Sequence, residues 1–546
     1  MPVSIVIGVT GHRDLREKDV PLLRDLVRAE LQKLKTEYPY SPLIMLNSLA
    51  AGADLLCADV AAELGITLKC PLPMGIDEYR LDFDADTVSQ FETMIAYAKE
   101  VFIAPNAEPL LDETSHDYHY RQAGIYVAAH SHVLLALWDG TTAESDGCGT
   151  AEIVDFMIRG DYGGKDYFKA ANDGAVIHIM TARQSSDKQL PVTVSLIENE
   201  PGSLREVLRT TDTFNRDAAM LTGSSENGNE LLPEEFFRDN VKLQCLSELY
   251  HKANSLSLRF QKQYLRTISY FSVFGVLLVL SFLLYDVLES DIFLLCYGLL
   301  IIIYFLAFMS ARKSKAHTYY LQYRVLSEAM RVQFYLSATG SNENIGNSFT
   351  WTQKQDSTWV KEAVSATLVG VPDTPEIPID MIKKYWIDGQ YEYHQKALGR
   401  NRRKHHINEK AARAMLVCSI TMFAIVMVLE FLFKAVIAKP ITTMPLPAFF
   451  MQHDGQIFTL RGLLKIVLGG VSAITVFLSG YYGKLSLERK SLDHEKMASL
   501  YSSAKEQFER GNINSEQLFS ELAREEIIEN GNWFSYCREN SPSFDI

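Results

Sequence analysis

Residues 3–14 read VSIVIGVTGHRD, a short apolar run that is rich in β-branched residues and ends in a glycine-containing, charged turn. Similar apolar runs alternate with segments of helical periodicity up to about residue 200. Continuous apolar strands that alternate with helices are typical of a parallel sheet covered on both faces. The sequence therefore predicts an α/β domain over residues 1–200. Its strands are expected at 3–9, 43–46, 67–70, 101–104, 133–138 and 175–180.

Glycine-rich loops follow three of these predicted strands. They are GVTGHR from Gly8, SLAAGAD from Ser48, and the pair Asp139-Gly140 with GCGT from Gly147. Glycine lets backbone N–H groups approach a phosphate, and the helix that follows presents the positive end of its dipole. Because all three loops lie at the same edge of the sheet, we expect a Rossmann-like parallel sheet that binds a nucleotide-derived small molecule there. The candidate ligand-binding residues are Gly8, Thr10, Gly11, His12, Arg13, Ser48, Gly52, Asp54, Arg121, Asp139, Gly147, Gly149, Thr150 and Glu152.

Several of these candidates also have a simpler explanation. His12 and Arg13 can be ordinary loop residues, and Arg121 can be a surface residue of a helix. Asp54 can cap its helix, and Asp139 can cap a turn with the glycine that follows it.

The second half of the chain differs in composition. Apolar runs near residues 268–285, 292–309, 415–433 and 463–482 each approach the ~20 residues that cross a bilayer as a helix. They predict an all-α membrane domain with four transmembrane helices in two hairpins, and lipid as a partner. Buried core helices are the alternative, which fits the fourth run best because that run contains Lys465.

Basic residues predict the orientation of the spans. Arg259, Lys262 and Arg266 precede the first span and Arg312 follows the second, whereas the loop between them is acidic. By the positive-inside rule we expect a multi-pass membrane protein with both termini in the cytoplasm.

The predicted domain organisation follows from these segments. Polar residues at 201–235 predict a linker. Similar patterns around Tyr250 and Tyr393 indicate that each hairpin belongs to a repeated unit. The expected domains are residues 1–200, linker 201–235, first hairpin with its juxtamembrane helix 236–345, cytoplasmic connector 346–392, and second hairpin with C-terminal helices 393–546.

Charge and cysteine content exclude other partners. The net charge of −14 argues against binding of a nucleic acid polymer. None of the seven cysteines forms a C-x-x-C pair or stands at metal-ligand spacing, so no metal and no cofactor are predicted.

Four stretches of the first domain resemble the SLOG superfamily: GVTGHRD, SLAAGADLLCADVA, HYRQAGIYVAAHSHVLLALWDG and DGCGTAEIVDF. These Rossmann-like domains are related to the DNA-processing protein DprA and to the LOG cytokinin-activating phosphoribohydrolases. The hairpins are similar to SLATT two-transmembrane effector modules, through their architecture and through YRVLSEAMRVQFYLSATG. This resemblance implies a nucleotide-signal sensor coupled to a pore-forming or membrane-disrupting effector in bacterial antiviral defence. We expect it to act as a homo-oligomer.

The resemblance also bears on catalysis. LOG enzymes use a helical arginine, which Arg121 matches, and a glutamate that ends a G-G-x-G-T-x-x-E loop, where this chain has Ile153. Glu152 stands one residue earlier, a rotation of ~100° on a helix, so its carboxylate is expected to point elsewhere. The sequence therefore favours binding over cleavage. The alternatives are a membrane-tethered nucleotide N-glycosidase, with Arg121 and Glu152 as its catalytic pair, and a scaffold that binds no nucleotide.

Overall fold

The computed structural model describes residues 1–105, 116–142, 149–160, 174–188, 190–221, 230–288, 290–370, 377–432, 460–510 and 514–540. The chain divides into two compact units. The first consists of Met1–Leu256, Gln322–Ile382 and Ile513–Ser535. The second consists of Ser257–Leu321, Lys383–Asn512 and Tyr536–Ile546.

A seven-stranded sheet organises the first unit. Its strands are β1 (Ile5–Gly11), β2 (Leu43–Leu46), β3 (Thr67–Leu72), β4 (Glu100–Ile103), β5 (Val133–Trp138), β6 (Ala175–Met180) and β7 (Val194–Glu198). They lie in the order β4-β3-β2-β1-β5-β6-β7. Strands β1 to β6 are parallel, whereas β7 pairs antiparallel with β6. The predicted parallel α/β fold is confirmed, with an antiparallel edge strand that the sequence did not reveal.

Helices cover both faces of this sheet. They are α1 (Val20–Glu37), α2 (Ala53–Glu63), α3 (Ile76–Tyr79), α4 (Ala85–Tyr97), α5 (His116–Ala129), α6 (Thr150–Arg159) and α7 (Ser203–Ala219). Alternate strand residues point to opposite faces. Ile5 and Ile7 pack in one core with α1, α2, α4 and α7, whereas Val6 packs in the other with α5 and α6.

Helix α7 corrects one prediction, because it lies within the segment 201–235 that the sequence predicts as a linker. Its residues Leu204, Val207, Leu208 and Phe214 are buried and recur at helical spacing. They form a single apolar stripe that packs on the sheet, and the rest of the helix is polar. The linker prediction was based on the polar composition of the segment. A helix with one narrow apolar stripe is also mostly polar, so composition does not distinguish it from a linker.

The described residues that follow α7 are mostly helical. Its helices are α8 (Val241–Leu288), α9 (Asp291–Ser314), α10 (Ala316–Ala338), α11 (Trp351–Asp356), α12 (Thr358–Thr367), α13 (Ile379–Ile382), α14 (Gly389–Leu432), α15 (Leu460–Leu485), α16 (Leu487–Arg510) and α17 (Ser515–Glu539). Helices α8, α9, α14 and α15 contain the four predicted apolar runs and are long and apolar enough to cross a membrane. At most 11% of any of these apolar windows is buried, which argues against the alternative of core helices.

The two hairpins have the same order of elements. In each, a long helix is followed by a return helix, and a single residue with left-handed backbone then starts a third helix. That residue is Lys315 (φ 45°) between α9 and α10, and Ser486 (φ 48°) between α15 and α16. The return helices have 24 and 26 residues, and the third helices have 23 and 24. This correspondence supports the interpretation of a repeated unit.

Helices of different hairpins pack against each other within the second unit. A Cβ on Gly469 would lie 2.6 Å from Leu283, and one on Gly275 would lie 2.2 Å from Phe477. Both glycines therefore permit close approach of α8 and α15. Lys465, the charge in the fourth apolar run, forms an ion pair with Asp286 of α8.

Candidate functional site

A cleft of about 730 Å³ opens beside the carboxyl ends of β1, β2, β5 and β6. The chain runs outward from β1 through β4 and then returns to β5 on the other side of β1. Ligands of open α/β sheets bind at such a reversal of strand order. The volume falls within the range of about 300–1,000 Å³ that small-molecule sites occupy.

Most of the predicted site residues meet in this cleft. Those that line it are Thr10, Gly11, His12, Arg13, Ser48, Asp54, Arg121, Asp139, Gly149, Thr150 and Glu152. Gly147 lies outside the described residues, and Gly8 and Gly52 do not line the cleft.

Gly8 and Gly52 are glycines for reasons of packing, which corrects their assignment as ligand contacts. A Cβ on Gly8 would lie 2.5 Å from Ser131 Oγ and 2.8 Å from Val127 Cγ1, so β1 could not pack against α5. Gly52 precedes α2 with φ 80°, and its Cβ would lie 2.3 Å from the carbonyl oxygen of Arg13. Gly52 thus allows the loops after β1 and β2 to cross.

His12 connects the loops that follow β1 and β5. The ring Nε2 of His12 accepts a hydrogen bond from the backbone N–H of Asp139 at 3.0 Å. The backbone N–H of His12 donates to the carbonyl oxygen of Leu137 at 3.0 Å. An accepting Nε2 carries no proton, so the ring is neutral and its approach to the Asp139 carboxylate, 3.4 Å, is not an ion pair. Burial lowers the pKa of His12 although Asp139 raises it. His12 is therefore a positioning residue rather than a cation for a phosphate.

Asp139 adopts the turn-capping role that was its alternative. Its Oδ1 accepts hydrogen bonds from the backbone N–H of Thr141 at 3.1 Å and from Thr141 Oγ1 at 2.7 Å. Burial raises the pKa of Asp139, but the hydrogen bonds from Thr141 bring it below the usual value. Asp139 is therefore ionised and stabilises the turn at the rim of the cleft.

Arg121 and Glu152 face each other across the cleft wall. Arg121 Nε donates to Glu152 Oε1 at 2.7 Å, and the guanidinium lies 5.1 Å from the centre of the Phe156 ring. The expectation that the Glu152 carboxylate points elsewhere was therefore wrong. Ile153 is buried against Gly124. A Cβ on Gly124 would lie 2.4 Å from Ile153 Cδ1, so only glycine leaves room for this side chain. This packing sets the rotation of α6 and turns Glu152 toward Arg121.

Three buried polar atoms of the cleft have no hydrogen-bond partner within the described part of the chain. They are the Tyr79 hydroxyl, the Trp138 indole Nε1 and Glu152 Oε2. Buried polar groups are nearly always hydrogen-bonded, so each such atom calls for a partner. These two donors and one acceptor belong to residues that line a cleft large enough for a small molecule.

The start of α6 exposes backbone amides to the cleft. Thr150 and Ala151 line the cleft, and no acceptor among the described residues pairs with their backbone N–H groups. Gly149 leaves open space in front of them, because nothing lies within 4 Å of its Cβ position. First-turn amides of a helix are available to anions. Arg13 adds a nearby charge, with its guanidinium 4.3 Å from the centre of the Tyr120 ring and no carboxylate at ion-pair distance among the described residues.

Tyr79, Tyr120 and Arg183 also line the cleft and were missed by the sequence. Arg183 forms an ion pair with Asp14 at 3.0 Å. Its loop is held by the buried Arg16, which donates to the carbonyl oxygens of Arg183 at 3.0 Å and Lys188 at 2.8 Å. Tyr79 follows β3 and Arg183 follows β6, at the same edge of the sheet as the glycine loops. Because loops at the carboxyl ends of parallel strands meet, both residues could have been predicted in the same way.

Asp54 does not cap its helix, and the pKa of its carboxyl is raised. Gly52 occupies the cap position of α2 without a side-chain hydrogen bond, and Asp54 Oδ2 accepts a 3.3 Å hydrogen bond from the N–H of Ala50. Burial raises the pKa of Asp54 to about 7. The loop before it contains Leu49, which is fully buried with φ 57°. Strained backbone of this kind concentrates at functional sites.

We expect Asp54→Asn to stabilise the protein more at pH 8 than at pH 5. A carboxyl whose folded pKa exceeds its unfolded value of about 3.9 destabilises the fold as pH rises from about 4 through about 7. Asparagine stays neutral and keeps an acceptor for Ala50. The expected gain at pH 8 is about 1–3 kcal/mol, read from thermal unfolding at both pH values. Asp77→Asn, at a side chain that is 99% exposed, is the control, and an equal gain at both pH values would contradict the assignment.

A scan against protein-family models and a search of curated proteins both find no match to this sequence. The nature of the ligand therefore rests on the chemistry of the cleft.

Proposed function

We propose that this protein is a membrane-anchored sensor whose first unit binds a nucleotide-derived small molecule and whose apolar helices act on the membrane. One observation carries the proposal. At the reversal point of the sheet, the first amides of α6 and the arginines Arg13 and Arg121 line a cleft together with three residues whose buried polar atoms have no partner among the described residues.

The cleft suits the parts of a nucleotide. A phosphate matches the amides of Thr150 and Ala151 together with Arg13, since oxyanions accept charge-assisted hydrogen bonds. The Tyr79 hydroxyl, the Trp138 N–H and Glu152 Oε2 are complementary to the donors and acceptors of a base or a sugar.

The membrane part of the proposal rests on the four apolar helices and on the SLATT-like sequence patterns. Helix α8 begins in the first unit and continues without a break into the first apolar run. Ligand binding would change the membrane helices only if the ligand binds two conformations with different affinity. We infer that the protein forms a homo-oligomer in a bacterial inner membrane, with both termini in the cytoplasm. On ligand binding this oligomer would open a pore or disrupt the lipid bilayer, as part of antiviral defence.

A nucleotide N-glycosidase is the second candidate, and the position of Glu152 favours it. Arg121 holds one oxygen of the carboxylate, and the other oxygen has no partner within the described part of the chain. An arginine and a glutamate are the residue types that the LOG resemblance implies for a phosphoribohydrolase, although Glu152 stands one residue before the expected position. Catalysis would require Glu152 to act on the bound nucleotide, whereas a sensor would leave the nucleotide intact.

A ligand screen on the full-length protein in detergent tests these candidates. Cyclic di- and oligonucleotides, ADP-ribose derivatives and nucleoside monophosphates are added in a thermal-shift assay, and each compound is then analysed by chromatography. A stabilising compound that is recovered intact supports the sensor, and dye release from vesicles that contain the protein then tests the effector. A compound that is consumed by the protein but not by Glu152→Gln identifies the hydrolase. If none of the compounds stabilises the protein, the proposed binding function is wrong.

A further inference from the structure

We propose that the first hairpin carries a binding site for the headgroups of anionic phospholipids. Arg259, Lys262, Arg266 and Tyr270 form the site on α8, and we call them the α8 basic ridge. The ridge belongs to the second unit and involves none of the residues of the cleft.

Open space lies along α8 beside these side chains. Two shallow grooves that are open to solvent, of about 480 and 390 Å³, flank the same helical stretch and are lined by residues of α8. Lys262, Arg266 and Tyr270 line both grooves, because residues four apart stack on one side of a helix. A headgroup in either groove would therefore contact the same two cations.

The cations of the ridge lack counter-charges. Arg259, Lys262 and Arg266 are exposed, and no carboxylate in the described part of the chain pairs with them. In the second hairpin, by contrast, Arg402 pairs with Glu495 at 2.8 Å and Arg413 pairs with Glu409. Three unpaired positive charges within two helical turns repel one another, and a bound anion would relieve this repulsion.

The ridge lies at the level where lipid headgroups are expected. The apolar run of α8 begins at Ile268, directly after the cations, and Tyr270 is 63% exposed. Tyrosine is enriched at this depth because its ring tolerates hydrocarbon and its hydroxyl prefers water.

Contacts within the hairpin place further cations at the same level. The Tyr264 ring lies 4.4 Å from the His317 ring, and the Phe271 ring lies 5.1 Å from the Tyr304 ring. Arg266 stands between Tyr264 and Phe271 on α8, and the exposed Lys313 stands between their partners Tyr304 and His317. Both cations therefore lie at a similar height along the hairpin. Cations from both helices therefore face one layer of the membrane boundary.

Charge selects the class of lipid. A phosphatidylglycerol headgroup carries a net negative charge, whereas the ammonium of phosphatidylcholine neutralises its phosphate. A basic segment next to a span is attracted to anionic lipid by about 1 kcal/mol per Lys or Arg near the surface. The α8 basic ridge therefore fits a phosphatidylglycerol-type lipid better than a zwitterionic lipid.

The test is lipid binding to the full-length protein in detergent. Phosphatidylglycerol and phosphatidylcholine of equal chain length are titrated separately, and bound lipid is counted by native mass spectrometry. We expect tighter binding of phosphatidylglycerol, weakened by salt. The double variant Lys262→Gln/Arg266→Gln should lose roughly 30-fold in affinity, which corresponds to about 1 kcal/mol for each cation.

Two control variants isolate the role of the ridge. Lys262→Arg/Arg266→Lys keeps the charge and should keep the affinity. Lys18→Gln/Arg209→Gln removes two exposed cations from the first unit and should not change lipid binding. Equal binding of the two lipids, or wild-type affinity in Lys262→Gln/Arg266→Gln, would overturn the proposal. Full competition by inorganic phosphate at the concentration of the lipid would reassign the ridge to a free anion.

Discussion

The variant Gly52→Ala is expected to unfold the first unit at temperatures at which the wild-type protein remains folded. Gly52 has φ 80° and ψ −113°, a combination that alanine adopts only at high cost. The new Cβ would also lie 2.3 Å from the Arg13 carbonyl oxygen and 2.6 Å from that of His12. Because both atoms belong to the backbone, no side chain can move aside. The expected loss is about 3–5 kcal/mol of unfolding free energy.

Gly65→Ala provides the matched control for Gly52→Ala. Gly65 also has a positive φ, 65°, but nothing lies within 4 Å of its Cβ position. Alanine there should cost only the left-handed backbone penalty of about 1–2 kcal/mol. Thermal unfolding of both full-length variants measures the difference. Equal losses would show that the loops after β1 and β2 do not cross as described.

The second large effect is expected for ligand binding by Arg121→Ala. The substitution removes a charged donor from the cleft and leaves the Glu152 carboxylate without its 2.7 Å partner. An unpaired carboxylate repels a phosphate, so both changes act in the same direction. We expect the compound identified by the ligand screen to bind about 100-fold more weakly.

A double-mutant cycle separates these two contributions. Arg121→Ala/Glu152→Gln removes the repelling charge as well, so it should bind more tightly than Arg121→Ala alone. Arg28→Ala removes a partly exposed arginine that pairs with Glu63 outside the cleft and is the control for surface charge. Affinities are measured by titration calorimetry of the full-length proteins. Wild-type affinity in Arg121→Ala would remove Arg121 from the site.

Much of the fold can be predicted from the sequence where burial dictates composition. The central strands β1, β5 and β6 are buried on both faces along most of their length, so they appear as short apolar runs with little ambiguity. Strand β7 was missed because it is an edge strand whose Val194, Ser195 and Leu196 are exposed. Helix α7 was missed because only one stripe of it meets the core.

The location of the candidate site could be predicted from the sequence, because it depends on one rule about parallel sheets. Loops at the carboxyl edge of a parallel sheet meet, and this rule brought together residues as distant as Thr10 and Thr150. The direction of the Glu152 side chain could not be predicted in this way. It depends on how Ile153 packs against Gly124, a tertiary contact that no pattern local to the loop contains.

Hydrogen–deuterium exchange of the full-length protein, with and without the stabilising compound from the screen, tests most directly whether the cleft is the binding site. We predict slower exchange in peptides that cover residues 8–16, 47–56 and 149–156, which form the cleft loops and the start of α6. Peptides of β7 should be unchanged, because β7 does not line the cleft. Unchanged exchange in all three segments, or protection confined to other parts of the chain, would contradict the assignment of the cleft as the site of nucleotide recognition.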